Sequence, residues 1–151
     1  MSDIHIGTVV EIVVGAPTTY DKAGYETLFA DGDAVGGMVE APAFATTHSD
    51  IQIPSLGTGF TKTRKGAEVG VSSSMMWSTA ASDAGQTALI AASRARAEYS
   101  LSVLSADGVS ISYCTGIIKD YAPNKPTTTS YVGGAVNFVP NVNEVLTTPP
   151  A

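Results

Sequence analysis

Residues Glu98 to Tyr121 read EYSLSVLSADGVSISYCTGIIKDY, two β-strand patterns joined by a short turn. Tyr99, Leu101 and Val103 alternate with Ser100 and Ser102 in the first arm. Val109, Ile111, Tyr113 and Ile117 alternate with Ser110, Ser112 and Cys114 in the second. Successive strand residues point to opposite faces, so each arm has one apolar face and one face of small hydroxyls. Asp107-Gly108 between them supplies the positive φ of a hairpin turn. A serine-coated sheet with so little charge needs a reason.

Outward from the hairpin, strand patterns dominate. Gly7 to Gly15, GTVVEIVVG, is rich in β-branched residues. Pro17 and Gly24 mark turns, with one helical turn expected between Tyr20 and Leu28. Asp31-Gly32 and Gly36-Gly37 flank a further strand expected near Val35 to Glu40. Ala41 to Gly66 shows no sustained periodicity and is expected as a long loop with a brief strand at Ile51–Ile53. In AEVGVSSSMMWS, Val69, Val71, Ser73, Met75 and Trp77 point one way; Glu68, Gly70, Ser72, Ser74 and Met76 point the other. One helix is expected over about 83–97, capped by Asp83 with Gln86 three residues on. Ala84, Ala88, Leu89 and Ala92 form its apolar stripe, and Arg94 and Arg96 suit its C-terminal end. A polar connection, APNKPTTTS, precedes a last strand, YVGGAVNFV, and an extended tail. The expected fold is mainly β, an antiparallel sandwich or barrel of about six to eight strands with one flanking helix.

The 151 residues suit one domain spanning 1–151. Hydrophobic residues make up 44%, too many for a disordered chain, and charged residues only 15%, which fits a surface covered by something, such as copies of the same chain, and equally a small β-domain rich in Ser and Thr. The net charge of −6 is uneven: residues 1–61 hold eight acids and one base, and residues 62–151 six acids and seven bases. Head-to-tail self-association is one reading of that split. So acidic a balance argues against stable nucleic-acid binding, which rests on Lys and Arg. Cys114 is the only cysteine, so no disulfide forms within the chain. The start MSDIHIGTVV has no basic, apolar signal pattern and no apolar run reaches membrane-helix length, so synthesis in a reducing cytoplasm and no membrane association are expected.

Catalytic and metal chemistry find little support. His5 and His48 have no neighbouring ligand cluster. Cys114 and His48 could pair as nucleophile and base, but a hairpin-strand cysteine is more often a buried thiol. DGDAVGG at Asp31 lacks the later acid of a calcium loop, and Gly57-Thr58-Gly59 lacks the strand and helix of a dinucleotide fingerprint. KTRK at Lys62–Lys65 is too short for a nucleic-acid patch; it reads as a solvated loop or a contact for an acidic partner. No cofactor, metal or catalytic residue is assigned.

PTTYDKAGYETL (Pro17 to Leu28) and DAGQTAL (Asp83 to Leu89), in this order and before the hairpin, resemble the tail tube proteins of long-tailed bacteriophages and related gene transfer agents. The likeness runs from about Gly7 to Pro150 and includes a TRKG-like segment at Thr63 to Gly66. It implies a virion structural protein whose hexameric rings stack head-to-tail into a hollow tube through which DNA passes without stable binding. It also implies a β-sandwich with a flanking helix, and partners among tape measure, tail terminator and distal tail or baseplate proteins. Ring-to-ring contacts would come from Met1–Gly7, Ala41–Gly66 and Asn141–Ala151. Lys62, Arg64 and Lys65 of one ring would meet Asp31 and Asp33 of the next. Two serine faces are candidates for the lumen, Glu68, Ser72 and Ser74 on one strand and Ser100, Ser102, Ser110 and Ser112 on the hairpin; the hairpin, through Ser110 and Ser112, would join an intersubunit sheet because low charge leaves its edges open. A tube protein of a secretion machine shares this reading. A monomeric β-sandwich ligand-binding module, for instance for carbohydrate, is the alternative of another class; an enzyme ranks third.

Overall fold

The hairpin of Tyr99–Leu104 (β7) and Ile111–Pro123 (β8) lies in the middle of an eight-stranded sheet. A computed structural model describes residues 8–78, 83–106, 108–123 and 132–149. Val9–Val14 (β1) pairs along the outer edge of β7, and Asp33–Val35 (β2) along β1. On the other side, β8 pairs with both Gly133–Pro140 (β9) and Val145–Thr147 (β10). Ser73–Ser78 (β6) follows β9, and Met38–Glu40 (β3) ends the sheet. Every pairing is antiparallel. The mainly β fold with a flanking helix is as expected, although no closed barrel forms among the described residues.

Several expectations need correction. The single strand near Val35 to Glu40 is two short strands, β2 and β3, at opposite ends of the sheet. The expected turn after Tyr20 is a helix, Lys22–Leu28 (α1), capped by Asp21 and continued by a 3-10 turn at Phe29–Asp31. The later helix, Ala84–Arg94 (α2), is shorter than 83–97: Ala95 adopts an extended ψ of 157°. Its buried side is Gly85, Gln86, Leu89 and Ala92, and Ala84 is exposed. Between the strands of the hairpin, Val109 and Ser110 belong to the loop, which the Ser105 N–H closes by donating to the Ser110 carbonyl at 2.9 Å. Gly108 supplies the positive φ there, at 73°; Asp107 lies outside the described residues.

Only Gly36-Gly37 separates β2 from β3, so the sheet must curl until its ends meet; three Cα–Cα steps span at most about 11 Å. α2 seals this seam. Asp83 accepts from Gln86 N–H (2.9 Å), capping the helix, and from Gly36 N–H (3.0 Å) with its other oxygen. The Gln86 amide donates to the Gly36 carbonyl (2.6 Å) and to the Ser78 carbonyl (2.9 Å). Gly85 lets the helix start touch β2, because a Cβ there would collide with the Ala34 carbonyl. Inside the curl, Leu89 and Ala92 pack on Val10, Ile12, Leu101, Cys114, Ile118, Met75, Trp77, Val136 and Phe138.

The other face of the hairpin is not solvated either. Ser100 and Ser102 are 0% and 2% exposed, beneath α1. The Tyr25 ring stacks on Tyr113 with centroids 5.0 Å apart. Its hydroxyl bonds Thr115 Oγ1 (2.9 Å), which bonds Ser100 Oγ (2.8 Å), which donates to the Gly15 carbonyl (2.8 Å). Small hydroxyls suit this place because a buried polar group must find a partner, and each of these does. Burial pushes the Tyr25 phenol up to about 12, against the lowering effect of its Thr115 bond.

Tyr25→Phe keeps the stacked ring and removes the one bond that Thr115 Oγ1 accepts from the phenol, while the Thr115–Ser100–Gly15 bonds stay. It should lower stability by about 0.5–1.5 kcal/mol, read by chemical denaturation. Burial also pushes the Cys114 thiol from 9.0 to about 12. Above pH 9 the unfolded chain releases the Cys114 proton, and above pH 10 the Tyr25 proton, while the native protein keeps both up to about 12. The native state then binds more protons, so stability should fall as pH rises through this window and be insensitive to these groups below it. Cys114→Ala should move the onset of the fall from about pH 9 to about pH 10, measured by denaturation at stepped pH; an unchanged profile would exclude the thiol as a cause.

Candidate functional site

Ala45–Pro54 (β4) and Thr61–Val71 (β5) replace the expected long loop with a two-stranded antiparallel arm separate from the main sheet. The segment hides its strand character in sequence because neither side of it enters the core. The burial alternation that marks other strands is therefore missing. Ser55 to Phe60 forms the tip, closed by Ser55 N–H donating to the Phe60 carbonyl at 3.2 Å. At the base, Gly70 lies so close to the Pro140 carbonyl that a Cβ would collide with it. Glu68 holds this junction by accepting from Thr46 (2.7 Å) and Asn143 (3.1 Å), with His48 at 3.8 Å. The Thr46 bond above all, with smaller contributions from Asn143 and His48, keeps the Glu68 carboxyl below its ordinary range.

The register gives the arm two unlike sides. Thr47 faces Val69 and Ala45 faces Val71; Ile51 faces Arg64 and Ile53 faces Lys62. Cross-strand partners share a face, and alternate residues of β4 share a side, so Ile51, Ile53, Val69 and Val71 line one side together with Lys62 and Arg64. The four aliphatics are 49%, 40%, 56% and 40% exposed, and Leu56 and Phe60 at the tip are more so. The opposite side is polar: Thr46, His48 with Glu68, Asp50 with Lys65, and Gln52 with Thr63. A register shift between His48 and Asp50 adds one residue on β5 and carries Lys65 to this polar side.

The expected contact residues are thus divided. Lys62 and Arg64 lie on the apolar side of the arm, and Lys65 lies on the polar side opposite Asp50. Asp31 and Asp33 are exposed and border one cleft, which Val14, Leu28, Ala88 and Tyr99 also line. Of the three residues expected in a lumen, Glu68 sits at the arm base, Ser72 is exposed between β5 and β6, and Ser74 on β6 donates to Glu40 at 2.7 Å. Ser110 is in the hairpin loop. Ser112 is flanked by Val103 of β7 and Leu146 of β10, so the open edge expected there is already occupied. The described part of the C-terminal segment, 141–149, folds back as β10 onto β8, and Lys22 donates to Thr148 at 2.9 Å. Met1–Gly7, His5 and the connection from Asn124 to Ser130 lie outside the described residues.

Chemistry finds no focus. Cys114 is buried with a raised pKa, whereas His48 is exposed on the arm. Among the described residues there is no cluster of three or more His, Cys, Asp or Glu suited to a metal. Among the same residues no helix is long and apolar enough to cross a membrane. What the surface offers instead is an apolar, partly cationic side of a projecting arm.

No family model matches the chain, and no curated protein matches it by sequence. Solved structures match it in shape. A chain of the sixfold-symmetrised anti-feeding prophage baseplate superposes with a TM-score of 0.64 over 98% of both chains, at 6% identity. A chain of the cap that terminates the anti-feeding prophage tube does so with a TM-score of 0.58, over 98% of this chain and 97% of that one, at 10% identity. At such identities the likeness is one of fold.

Proposed function

We propose that the protein is a structural subunit of a tail-like tube, assembling with copies of itself into hexameric rings that stack head-to-tail. The observation that carries this reading is the arm: four aliphatic side chains, half in water, on one side of a ribbon that has no core of its own. Burying each against a neighbour contributes on the order of 1 kcal/mol. Repetition around a ring multiplies that gain, and a heterologous contact that does not close on itself propagates into a filament. The likeness of Pro17 to Leu28 and Asp83 to Leu89 to tail tube proteins, and the fold shared with anti-feeding prophage chains, support the same reading. The particle would be a phage, a gene transfer agent or a related injection machine, with tape measure, terminator and baseplate proteins as further partners. No catalytic step is part of this role.

The purified protein should form rings or tubes in negative-stain electron micrographs. Replacing Ile51, Ile53, Val69 and Val71 together with Thr keeps strand propensity and removes the apolar side. The variant should melt as the wild type does yet remain monomeric by light scattering. A wild-type protein that stays monomeric at every concentration and salt would overturn the reading and leave a ligand-binding module in its place.

A conduit for DNA must not hold it. Ser72 and Ser74 present no cation, and the Ser74 hydroxyl is engaged by Glu40. In our reading this polar side, with Glu68, borders the lumen. Ser72→Lys with Ser74→Lys should leave tubes intact and create salt-dependent DNA retention, measured by co-sedimentation. Tubes that gain no DNA affinity would place these residues away from the channel.

A further inference from the structure

We infer that the apolar side of the arm docks into the cleft between β1 and α2 of a second copy of this chain, Ile51 and Ile53 against its aliphatic wall and Lys62 and Arg64 against Asp33 and Asp31. The inference rests on the self-assembly reading above and specifies where the arm goes. Both surfaces carry the same composition with opposite charge. On the arm, two isoleucines on one strand face two cations on the other, Ile51 with Arg64 and Ile53 with Lys62. In the cleft, Val14 is 59% exposed beside Leu28, Ala88 and Tyr99, and the two aspartates stand at its border.

Neither set is satisfied within one molecule. Among the described residues Lys62, Arg64, Asp31 and Asp33 form no ion pair and no side-chain hydrogen bond. The spacing agrees as well: alternate residues of an extended strand are about 6.8 Å apart, which separates Lys62 from Arg64, and Asp31 and Asp33 are likewise two residues apart. Lys65 takes no part, because the register shift turns it to the polar side beside Asp50. Only two of the three cations of the KTRK run are therefore interface residues. Within one molecule the arm's aliphatic side stays exposed while its base is held by Glu68 and the Gly70–Pro140 contact. A second copy supplies the cleft at the concentration of the protein itself.

The test uses full-length protein, mixing an Ile53→Cys variant with a Val14→Cys variant under mild oxidation; the native Cys114 is buried and inert. With protein at about 10 μM, docking raises the local thiol concentration to about 1 mM, so the mixed disulfide should form about a hundredfold faster than between Ile53→Cys and a control Leu146→Cys. Leu146 is 66% exposed but lies on β10. In parallel, Lys62→Glu with Arg64→Glu should abolish assembly, Lys65→Glu should spare it, and adding Asp31→Lys with Asp33→Lys to the first pair should restore it. Assemblies that form while the Ile53–Val14 disulfide is no faster than the control would overturn this docking and leave self-assembly standing. Loss of assembly in Lys65→Glu, equal to that in the double reversal, would overturn the assigned side of the arm. Monomer in every mixture, wild type included, would overturn the docking together with the self-assembly reading.

Discussion

The carboxylate of Asp83 holds the fold in its curled form. One oxygen accepts from the first turn of α2 and the other from Gly36, at the two-residue link between the ends of the sheet. A helix cap that merely satisfied its own helix would leave the sheet ends free to splay. Here the cap is shared, so the helix cannot leave the curl without uncovering both its own N–H groups and the Gly36 N–H. Gln86 reinforces the link through the Gly36 and Ser78 carbonyls. The apolar core inside the curl then needs only one helix, because the sheet supplies every other wall.

The central hairpin is covered on both faces, and the two covers are chemically different. On the inside, Leu101 and Cys114 meet α2 and the aliphatic core. On the outside, α1 lays Tyr25 over Tyr113 and feeds a hydroxyl into the Thr115–Ser100 chain. A purely apolar outer face would pack α1 with no preferred register. The chain of hydroxyls fixes α1 at one position, since any slip would strand buried donors without acceptors. The serines that looked like a wetted surface are therefore a locking device for α1.

The arm follows the opposite logic. An isolated two-stranded ribbon is marginal in water, and this one exposes its aliphatic residues instead of folding them under. Its base is well anchored, through Glu68 and the close approach of Gly70 to Pro140. An anchored base and an exposed apolar side make the arm the element on which the proposed assembly rests.

Local patterns in the sequence determined β1, β6, β7, β8, β9 and the capped start of α2, because alternation and capping are properties of a few consecutive residues. They also placed the low charge and the split between an acidic first half and a basic loop. Tertiary structure alone decided the rest. Ser100 and Ser102 are buried because a helix some 75 residues earlier in the chain covers them, which no local pattern can announce. Apart from the brief strand expected at Ile51–Ile53, β4 and the first half of β5 carry no legible strand pattern, because both of their faces lie outside the core. A single extra residue in β5 sends Lys65 to one side and Lys62 and Arg64 to the other. Asp31 and Asp33 become one border of a cleft only when the curl brings α2 beside β1. Short-range chemistry sets which segments form strands and helices; which of their faces meet water is set by the elements that fold over them.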